Sequence, residues 1–527
     1  MRGTFDVSPN ADAFGARYSE GHAQVVFTRL VADLETPVSA YLKLTNGARG
    51  GHASGGGRMT FLLESVEGGS KRGRYSIIGL SPDVIWRANG ARAQINRDPF
   101  NQIDKFEDIE LETLASLRAF LNDSAIDLPR DLPPMAAGVF GYMGYDTVRL
   151  VEHLPNEPCD ELGVPDSLLV RPTVMVIFDL VKDEMTIVTP VRYSADVTAD
   201  KAFEGARERL HGAVRALQAP LDVLPAPSLD VLEAPEPTSN TSQKRYLDMV
   251  AKAKDYIVAG DIFQVVLSQR FSAPFGLSSF SLYRSLRRLN PSPFLFHLDF
   301  GDFALVGSSP EILVRARDGD VTIRPIAGTR HRGIDEDADK ALESELLADP
   351  KERSEHLMLL DLGRNDVGRV ANVGTIDVTD QFIVERYSHV MHIVSNVTGK
   401  LASGCDTIDA LMAGFPAGTV SGAPKVRAME IIDELEVSKR GPYAGCVGYF
   451  SADGNMDTCI VLRTGLVKDG MLYVQAGAGI VHDSIPENEQ QECVNKAKAI
   501  VRAAEEAVRF ASDANFDGDD NNGGPFG

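Results

Sequence analysis

Two pairs of glutamates, far apart in the chain, share one spacing. Glu352 and Glu355 stand in DPKERSEHLMLLDLGRND, and Glu489 and Glu492 stand in DSIPENEQQECVNKAKA. Each segment predicts a helix that begins just after a proline, and residues three apart on a helix share a face. A fold that joined the two faces would gather four carboxylates, which cannot all stay ionised at close quarters without a cation. The pairs therefore favour two remote helices that meet around a hard ion such as Mg2+.

A purely structural interpretation of the same residues stays open. Asp349 could cap the first helix with Pro350 as its first residue, and Glu352 would then close a capping box. Ser484 and Glu487 have similar cap spacing in the second segment. Acidic residues in a first helical turn also suit the positive end of the helix dipole. Spacing alone does not separate a metal site from two capped helices.

Composition excludes several classes of protein. The 527-residue chain has a formal net charge of -22 and no Lys/Arg-rich tract, so no nucleic-acid partner is expected. Nothing in it approaches the ~20 apolar residues that span a bilayer, so no membrane partner is expected either. The first twenty residues lack the apolar core of a secretory signal. Five cysteines, an odd number without a C-x-x-C, predict reduced thiols in a cytoplasmic protein.

The chain divides at a proline-rich stretch. Residues 1–23 are expected to be a flexible N-terminus, and residues 24–217 a first folded region. The stretch 218–242, which contains APLDVLPAPSLDVLEAPEPTSNTS, predicts a linker. Residues 243–512 form a second folded region, and the acidic, glycine-rich residues 513–527 predict a disordered tail.

The second region predicts hairpins. Residues 279–289 are helix-like, and 294–300, 303–307 and 311–317 are strand-like segments separated by short turns. Short turns between strands predict an antiparallel sheet, and hence an α+β fold rather than a doubly wound parallel sheet.

A six-residue pattern occurs once in each half of the chain. It reads AGVFGY at Ala137 to Tyr142 and AGCVGY at Ala444 to Tyr449. An internal duplication and two similar buried strands both explain the pattern.

Other motifs offer groups for chemistry. The small residues Gly477, Ala478 and Gly479 in QAGAGIV would let backbone N–H groups approach an anion. A tight turn explains them equally simply. GTVSGAPK lacks the spacing of a phosphate-binding loop. Arg463 ends an apolar run, where it could fork a carboxylate, and His392 could serve as an acid or hydrogen-bond donor.

Ordered matches along most of the chain identify a family. They are LLESVEGGSKRGRYSIIG, NPSPFLF, GSSPEILVR, RPIAGTRHRG, ERSEHLMLLDLGRND, GTVSGAPKVRAMEIIDELE, DTCIVLRT and QAGAGIVHDSIPENEQQE. The chain resembles the chorismate-utilising enzymes, and most closely the large subunits of anthranilate synthases. The resemblance implies two orthogonally packed, mainly antiparallel sheets flanked by helices. It also implies that chorismate and ammonia become anthranilate and pyruvate through 2-amino-2-deoxyisochorismate, the first committed step of tryptophan biosynthesis.

The resemblance implies a Mg2+ site and an anion site. Glu355 and Glu492 would bind the metal directly, and Glu352 and Glu489 would act through bound water or from further out. The metal would grip the ring carboxylate of chorismate with help from the backbone of the QAGAG segment.

The resemblance also assigns the remaining active-site roles. Four residues would contact the substrate, with the last two holding the enolpyruvyl carboxylate: Gly328, Thr329, Tyr443 and Arg463. Glu311 would be the general acid that protonates the departing C4 hydroxyl, since hydroxide is a poor leaving group. His392 would assist the loss of pyruvate, and Thr419 would line the pocket.

Two positions distinguish the relatives. Aminodeoxychorismate synthases with a nucleophilic lysine read PIKGT, whereas this chain has Ala327 there. Isochorismate and salicylate synthases activate water with a lysine, whereas this chain has Gln264, a poor base that suits ammonia. Both positions favour anthranilate synthase over those alternatives. A tryptophan-sensing scaffold without turnover is the non-enzymatic alternative.

The resemblance further implies regulation and a partner. Feedback inhibition by L-tryptophan would use the LLES and NPSPF segments through Glu64, Ser65, Pro293, Phe294 and Leu295. Alternatively, the leucines of LLES are simply core residues of a strand, which would explain that motif as well. The chain shows no nucleophile-elbow cysteine with a following histidine and glutamate, as a glutaminase would need. A glutamine amidotransferase subunit, in a heterodimer or heterotetramer, would therefore supply ammonia from glutamine.

Overall fold

The computed structural model describes residues 6–47, 59–67, 71–221, 236–387 and 390–516. These residues form eleven α-helices. The helices are α1 (Ala11–Ser19), α2 (Pro37–Gly47), α3 (Thr113–Asp123), α4 (Ala199–Gln218), α5 (Gln243–Ala259), α6 (Ser279–Leu289), α7 (Glu336–Ala348), α8 (Pro350–Gly368), α9 (Thr407–Gly414), α10 (Lys425–Leu435) and α11 (Pro486–Phe516).

The same residues form 22 strands. The first eleven are β1 (Gln24–Val31), β2 (Thr60–Glu67), β3 (Lys71–Asn89), β4 (Arg92–Asn96), β5 (Glu107–Asp108), β6 (Gly138–Met143), β7 (Ser167–Asp179), β8 (Glu184–Val191), β9 (Thr238–Ser239), β10 (Gln264–Pro274) and β11 (Phe294–Asp299). The others are β12 (Phe303–Ser309), β13 (Ile312–Arg317), β14 (Asp320–Ile323), β15 (Ile326–His331), β16 (Asp377–Arg386), β17 (Val390–Lys400), β18 (Gly422–Ala423), β19 (Cys446–Ser451), β20 (Met456–Ile460), β21 (Thr464–Lys468) and β22 (Met471–Ile480).

Local sequence explains where the elements begin and end. Ser242 caps α5 by accepting a hydrogen bond from the Arg245 backbone, and Gly260 ends the helix in the left-handed region at φ 84°. The hairpin of β11 and β12 turns at Gly301, which also has a positive φ of 85°. The segments 294–300 and 303–307 therefore form a hairpin, as their short turn predicted, whereas β13 pairs with β14 and β20 rather than with β12.

Strands from the two halves of the chain pair with each other. Every described ladder is antiparallel, and the ladders join all 22 strands into one hydrogen-bonded network. Within it β2 pairs with β11, and β6 pairs with β19. The expected α+β class with mainly antiparallel sheets flanked by helices is confirmed. The regions 24–217 and 243–512 thus share their sheet rather than form separate cores.

Alternation along the strands builds a layered core. In β3, Ile77 packs into one cluster while its neighbour Ile78 packs into another with helices α1, α2, α4, α6 and α11. A third cluster lies under α3, α5, α9 and α10. Between the sheet layers the rings of Phe61 and Phe140 stack with centroids 4.7 Å apart. Successive side chains of a strand face opposite sides, so both faces of these strands are buried.

Three predictions about the organisation of the chain can be compared with the structure. The flexible N-terminus predicted for residues 1–23 is wrong for 11–19, because α1 buries Phe14 and Tyr18 completely or nearly so. The predicted linker 218–242 lies between α4 and α5, although residues 222–235 fall outside the described part. Of the predicted tail 513–527, the residues up to Phe516 continue α11, and 517–527 are not described. No helix among the described residues is long and apolar enough to cross a membrane.

Candidate active site

The first glutamate pair lies at the start of α8. Asp349 caps the helix by accepting from the backbone N–H groups of residues 351 and 352, and Pro350 is the first helical residue. Glu352 does not close a capping box. Its carboxylate accepts a hydrogen bond from Arg330 of β15 at 3.1 Å, and Arg330 also bonds Asp349 at 2.7 Å. The sequence did not single out Arg330, which follows the PIAGT motif directly.

The second glutamate pair acts electrostatically on the first. Burial and the charges of Glu352 and Glu492 raise the pKa of Glu355 above its usual range. Burial, together with Glu492, likewise raises the pKa of Glu489. The first turns of α8 and α11 therefore face a common space. Lys496 balances part of this charge, since its ammonium lies 2.7 Å from the Glu492 carboxylate.

The carboxylate oxygens are suitable ligands for a hard cation, but the side chains do not converge around one point. No three His, Cys, Asp or Glu side chains converge to form a metal site in the described part of the chain. Arg330 and Lys496 instead neutralise Glu352 and Glu492. Oxygen-only donors whose proton affinity is raised by mutual repulsion suit Mg2+, because a cation relieves the repulsion. The Mg2+ site stays a prediction.

The QAGAG segment lies on β22, directly against β10. A Cβ at Gly477 would come within 2.9 Å of the Tyr443 hydroxyl, and one at Gly479 within 2.6 Å of Gln264 Nε2. The two glycines therefore let Tyr443 and Gln264 lie flat against the strand, which corrects the alternative of a tight turn. Burial raises the pKa of Tyr443, and the charge of Glu492 adds to the effect. This strand is thus close to the carboxylates.

Glu311 is a carboxyl held protonated near neutral pH. It lies between β12 and β13, and burial raises its pKa to about 8. The hydroxyl of Thr419 donates to its Oε1 at 3.1 Å, and the Ile326 N–H also donates to it. These bonds and the charge of Arg463 lower the pKa but do not overcome burial. A buried carboxyl with such a pKa can donate a proton at physiological pH.

His392 is held neutral, with its proton on a defined nitrogen. Its Nδ1 lies 3.2 Å from the Gly328 carbonyl and 3.0 Å from the Thr329 hydroxyl. A carbonyl only accepts, so Nδ1 carries the proton and Nε2 is the basic nitrogen. Burial and the nearby charge of Arg463 lower its pKa to about 4. Gly328 has φ 75°, and a Cβ there would lie 3.2 Å from Glu352 Oε2. The irregular part of β15 at Gly328 therefore lies between His392 and the Glu352 carboxylate.

Arg463 supplies a partly buried positive charge that acts on both Glu311 and His392. Burial lowers its pKa, while the charges of Tyr387 and Glu311 oppose the effect. Its backbone lies in the left-handed region at φ 48°, which is strained for a residue with a side chain. Tyr387, which no motif indicated, packs its ring edge-on to His392 with centroids 5.4 Å apart.

A second site lies between β2, β11 and the catalytic strands. It is a cavity of about 730 Å3 whose lining includes all five residues predicted for tryptophan: Glu64, Ser65, Pro293, Phe294 and Leu295. Cross-strand pairing of Glu64 with Leu295 joins the LLES and NPSPF segments. Glu64 accepts hydrogen bonds from Arg287, at 2.5 and 3.0 Å, and from Tyr283 at 2.5 Å.

The cavity and the acid share a wall. Pro310 and Ile312 line the cavity on either side of Glu311 in the chain, and Ile326, whose N–H donates to Glu311, lines it too. A molecule in the cavity would therefore press on the strands that hold the Glu311 carboxyl.

Comparisons with known proteins identify the family. The family model of chorismate binding enzymes matches residues 63–502, and the chain belongs to that family. Anthranilate synthase component 1 of Cereibacter sphaeroides is 55% identical over 503 residues, which cover 95% of this chain and 98% of that protein. Its counterpart in Thermus thermophilus is 47% identical over 479 residues, covering 90% of this chain and 97% of that protein.

Solved structures share the fold. The crystal structure of anthranilate synthase component I from Streptococcus pneumoniae superposes with a TM-score of 0.73 at 36% identity, covering 90% of this chain and 99% of that one. The menaquinone-specific isochorismate synthase of Escherichia coli superposes with a TM-score of 0.67 at 19% identity, covering 94% and 98%, and shows the fold alone. The resemblance to the chorismate-utilising enzymes is confirmed.

Proposed function

We propose that this chain is the chorismate-converting component of an anthranilate synthase, a lyase that forms anthranilate and pyruvate from chorismate and ammonia. The observation that carries the proposal is that a protonated acid, Glu311, and a neutral base, His392, both lie within reach of the charge of the partly buried Arg463. The names of the relatives at 47–55% identity support it. Ala327 and Gln264 support it over the lysine-dependent sister enzymes.

The acid step follows from the state of Glu311. Ammonia attacks C2 of the ring while the bond from C4 to its hydroxyl breaks. Glu311 gives its proton to that oxygen, which leaves as water, and the Thr419 hydroxyl stabilises the carboxylate that remains. Gln264 carries no charge and leaves ammonia unprotonated. Its Oε1 is buried without a partner among the described residues and can accept an N–H of the incoming ammonia.

The base step follows from the tautomer of His392. Because Nδ1 carries its proton toward the Gly328 carbonyl, Nε2 can take the proton from C2. The bond from ring C3 to the enol oxygen then breaks and the ring becomes aromatic, while the departing enolpyruvate takes a proton on its methylene carbon to give pyruvate. Arg463 and Tyr443 would hold the enolpyruvyl carboxylate, and a pKa of about 4 keeps His392 neutral, with Nε2 unprotonated, at physiological pH.

The carboxylates of α8 and α11 would hold the metal. Glu355 and Glu492 would be direct ligands, with Glu352 and Glu489 further out. When bound, Mg2+ supplies positive charge that fixes the ring carboxylate and withdraws charge from the ring. Lys496 bridges Glu492 and the Gly477 carbonyl, which links the helix to the anion-binding strand.

Regulation and ammonia supply complete the proposal. L-Tryptophan would bind in the cavity of about 730 Å3 and act through the wall it shares with Glu311. A separate glutaminase subunit would deliver ammonia when glutamine is the nitrogen source.

A direct assay tests the function. Purified chain is incubated with chorismate and Mg2+, and with either an ammonium salt or glutamine, and the products are separated by chromatography. We expect anthranilate with ammonium and none with glutamine. Isochorismate or salicylate as the main product would assign a sister activity, and tight tryptophan binding without chorismate turnover would support the scaffold.

A further inference from the structure

One guanidinium is buried at the centre of the catalytic half, outside every role described so far. The Arg440 side chain is 1% exposed and pairs with Glu436, which is 3% exposed. Two Arg440 nitrogens donate to the two carboxylate oxygens of Glu436 at 3.0 and 2.6 Å. A buried pair of this kind is costly unless its remaining donors are satisfied. The groups that accept hydrogen bonds from the remaining Arg440 donors show which segments the pair fixes in place.

Both remaining partners are backbone carbonyls beside the active site. Arg440 Nη1 donates to the Val420 carbonyl at 2.7 Å, and Nη2 to the Val266 carbonyl at 2.7 Å. Val420 directly follows Thr419, whose hydroxyl bonds Glu311. Val266 pairs across the ladder with Gly479 of the QAGAG segment. One guanidinium therefore joins the turn that carries Thr419 to the strand that backs the anion site.

Glu436 extends the clamp along the same strand. Its Oε1 accepts from the backbone N–H of Ser268 at 2.7 Å and from the Ser268 hydroxyl at 2.9 Å. Ser268 is the cross-strand partner of Gly477. The pair thus fixes β10 opposite both glycines of the QAGAG segment.

The flat face of the guanidinium supports a tyrosine of the site. Arg440 lies 5.6 Å from the ring centroid of Tyr443 and 4.8 Å from that of Tyr145 on another element. Cations at this distance from an aromatic face are attracted to it. Arg440 therefore contacts the turn, the strand and the tyrosine that meet around the substrate position.

We propose that Arg440, held by Glu436, is a positioning residue that sets the Thr419 hydroxyl, the QAGAG strand and Tyr443 in register for the reaction. This inference rests on the proposed function and deepens it. Lysine keeps the charge but offers no planar fork, so it cannot bond two carbonyls and both carboxylate oxygens at once. If Arg440 only stabilised the fold, Arg440→Lys would leave the pKa of Glu311 unchanged.

The acid provides the readout that separates positioning from stability. Glu311 is faced by the Thr419 hydroxyl, the Ile326 N–H, Arg463 and Tyr387. The Thr419 bond lowers the pKa of Glu311. If Arg440→Lys lets the Thr419 turn move away, the pKa rises and activity persists to higher pH.

The experiment compares Arg440→Lys, Thr419→Val, the double variant and the control Arg171→Lys. Arg171 is also buried, at 6% exposed for the whole residue against 2% for Arg440, and its guanidinium bonds Asp83 and Asp123 at 2.8 and 2.9 Å rather than any of these groups. The kcat/KM for chorismate is measured against pH with ammonia in excess. We expect Arg440→Lys to lower kcat/KM on the order of 100-fold, as misplacement of reacting groups does. We also expect its basic limb to move to higher pH.

Thr419→Val should shift the limb in the same direction, and the double variant should shift it no further. An unmoved limb in Arg440→Lys, a loss no larger than in Arg171→Lys, or additive shifts would overturn the proposal. If Arg440→Lys does not fold, Glu436→Gln takes its place with the same expectations.

An infrared titration of the Glu311 carboxyl separates this failure from failure of the proposed function. The band is assigned by its loss in Glu311→Gln, and its titration needs no turnover. An inactive wild-type chain would refute the proposed reaction, while a carboxyl pKa that rises in Arg440→Lys would still support the positioning. A carboxyl pKa that stays at the wild-type value would refute the positioning whether or not the chain is active.

Discussion

Gly141 and Gly448 are direct cross-strand partners where β6 and β19 join the two halves of the chain. Each belongs to one copy of the repeated AG-x-x-GY pattern, and every residue of β6 is buried. A Cβ at Gly141 would lie 2.1 Å from the Leu168 carbonyl oxygen, and one at Gly448 would lie 2.1 Å from that of Asp457. The pattern therefore marks the place where neighbouring strands approach too closely for any side chain.

Gly448→Ala should destabilise the protein. Its Cβ would meet backbone atoms that cannot rotate away, so we expect a loss of about 1–3 kcal/mol or more in the free energy of unfolding. The measurement is chemical denaturation followed by circular dichroism.

Gly212→Ala is the matched control for this prediction. Gly212 lies in helix α4 with nothing within 4 Å of the added Cβ, and alanine favours a helix. It should be neutral or stabilising. Equal effects of the two substitutions would contradict the close approach of the strands.

Glu311→Gln should abolish turnover and change the pH dependence of stability. The folded-state pKa of about 8 lies above the usual 4.5, so the folded chain binds the extra proton throughout that window. Stability therefore falls as pH rises from about 4.5 to about 8. Glutamine removes this cost, and the variant should gain a few kcal/mol relative to wild type between pH 5 and pH 8. Denaturant unfolding at both pH values measures the gain.

The exposed Glu505→Gln serves as the control for that measurement, and it should show the same stability difference from wild type at both pH values. A constant difference for Glu311→Gln as well would mean that the carboxyl is ionised in the folded protein.

Glu355→Gln and Glu492→Gln should each weaken binding of Mg2+. Loss of one anionic ligand should raise the Kd for Mg2+ at least tenfold. This is a lower bound, because substitution of residues that merely hydrogen-bond to metal ligands already weakens metal binding about 10–100-fold. Binding in wild type should also weaken as pH falls, because protons compete for a Glu355 carboxyl whose pKa is raised by burial and by its neighbours. Isothermal titration calorimetry measures both effects. Glu505→Gln on the same helix should leave the Kd unchanged, and unchanged values in all three variants would exclude this site.

Arg287→Ala should reduce sensitivity to tryptophan while leaving uninhibited turnover within about twofold. Arg287 anchors Glu64 in the cavity wall through two hydrogen bonds. Charge-assisted bonds contribute about 1.5–3 kcal/mol each, so the half-inhibitory concentration should rise at least tenfold. Arg288→Ala removes the exposed neighbour, which pairs with Glu506, and should not change inhibition. Inhibition that is equally strong in both variants would place tryptophan elsewhere.

Local signals in the sequence were sufficient for some elements but not for others. The hairpin of β11 and β12 was predictable because its strands are adjacent and its turn is short. The helix α1 was missed because only Phe14 and Tyr18, four residues apart, carry its buried face. An asparagine cap at Asn10 was the available signal. The N-terminus appeared flexible because two apolar residues do not indicate what they pack against.

Site residues also divide into those that local motifs indicated and those that depend on contacts between distant segments. Motif matches indicated Glu311, His392 and the carboxylate pairs. Tyr387 and Arg330 were not found, because their roles depend on contacts between segments that no local pattern encodes. Likewise, the capping box that stayed open as an alternative at Glu352 is replaced by a hydrogen bond with Arg330 of another element.

The sequence by itself determined which groups are present and where α8 and α11 begin, since caps and prolines act over a few residues. Only the tertiary structure decided which of those groups are charged. Burial keeps Glu311 protonated and His392 neutral, and it encloses Arg440 with Glu436. The reason is physical: desolvation depends on neighbours that are more than a hundred residues away in the chain or lie across a strand ladder, even for Arg440 and Glu436, which are only four residues apart.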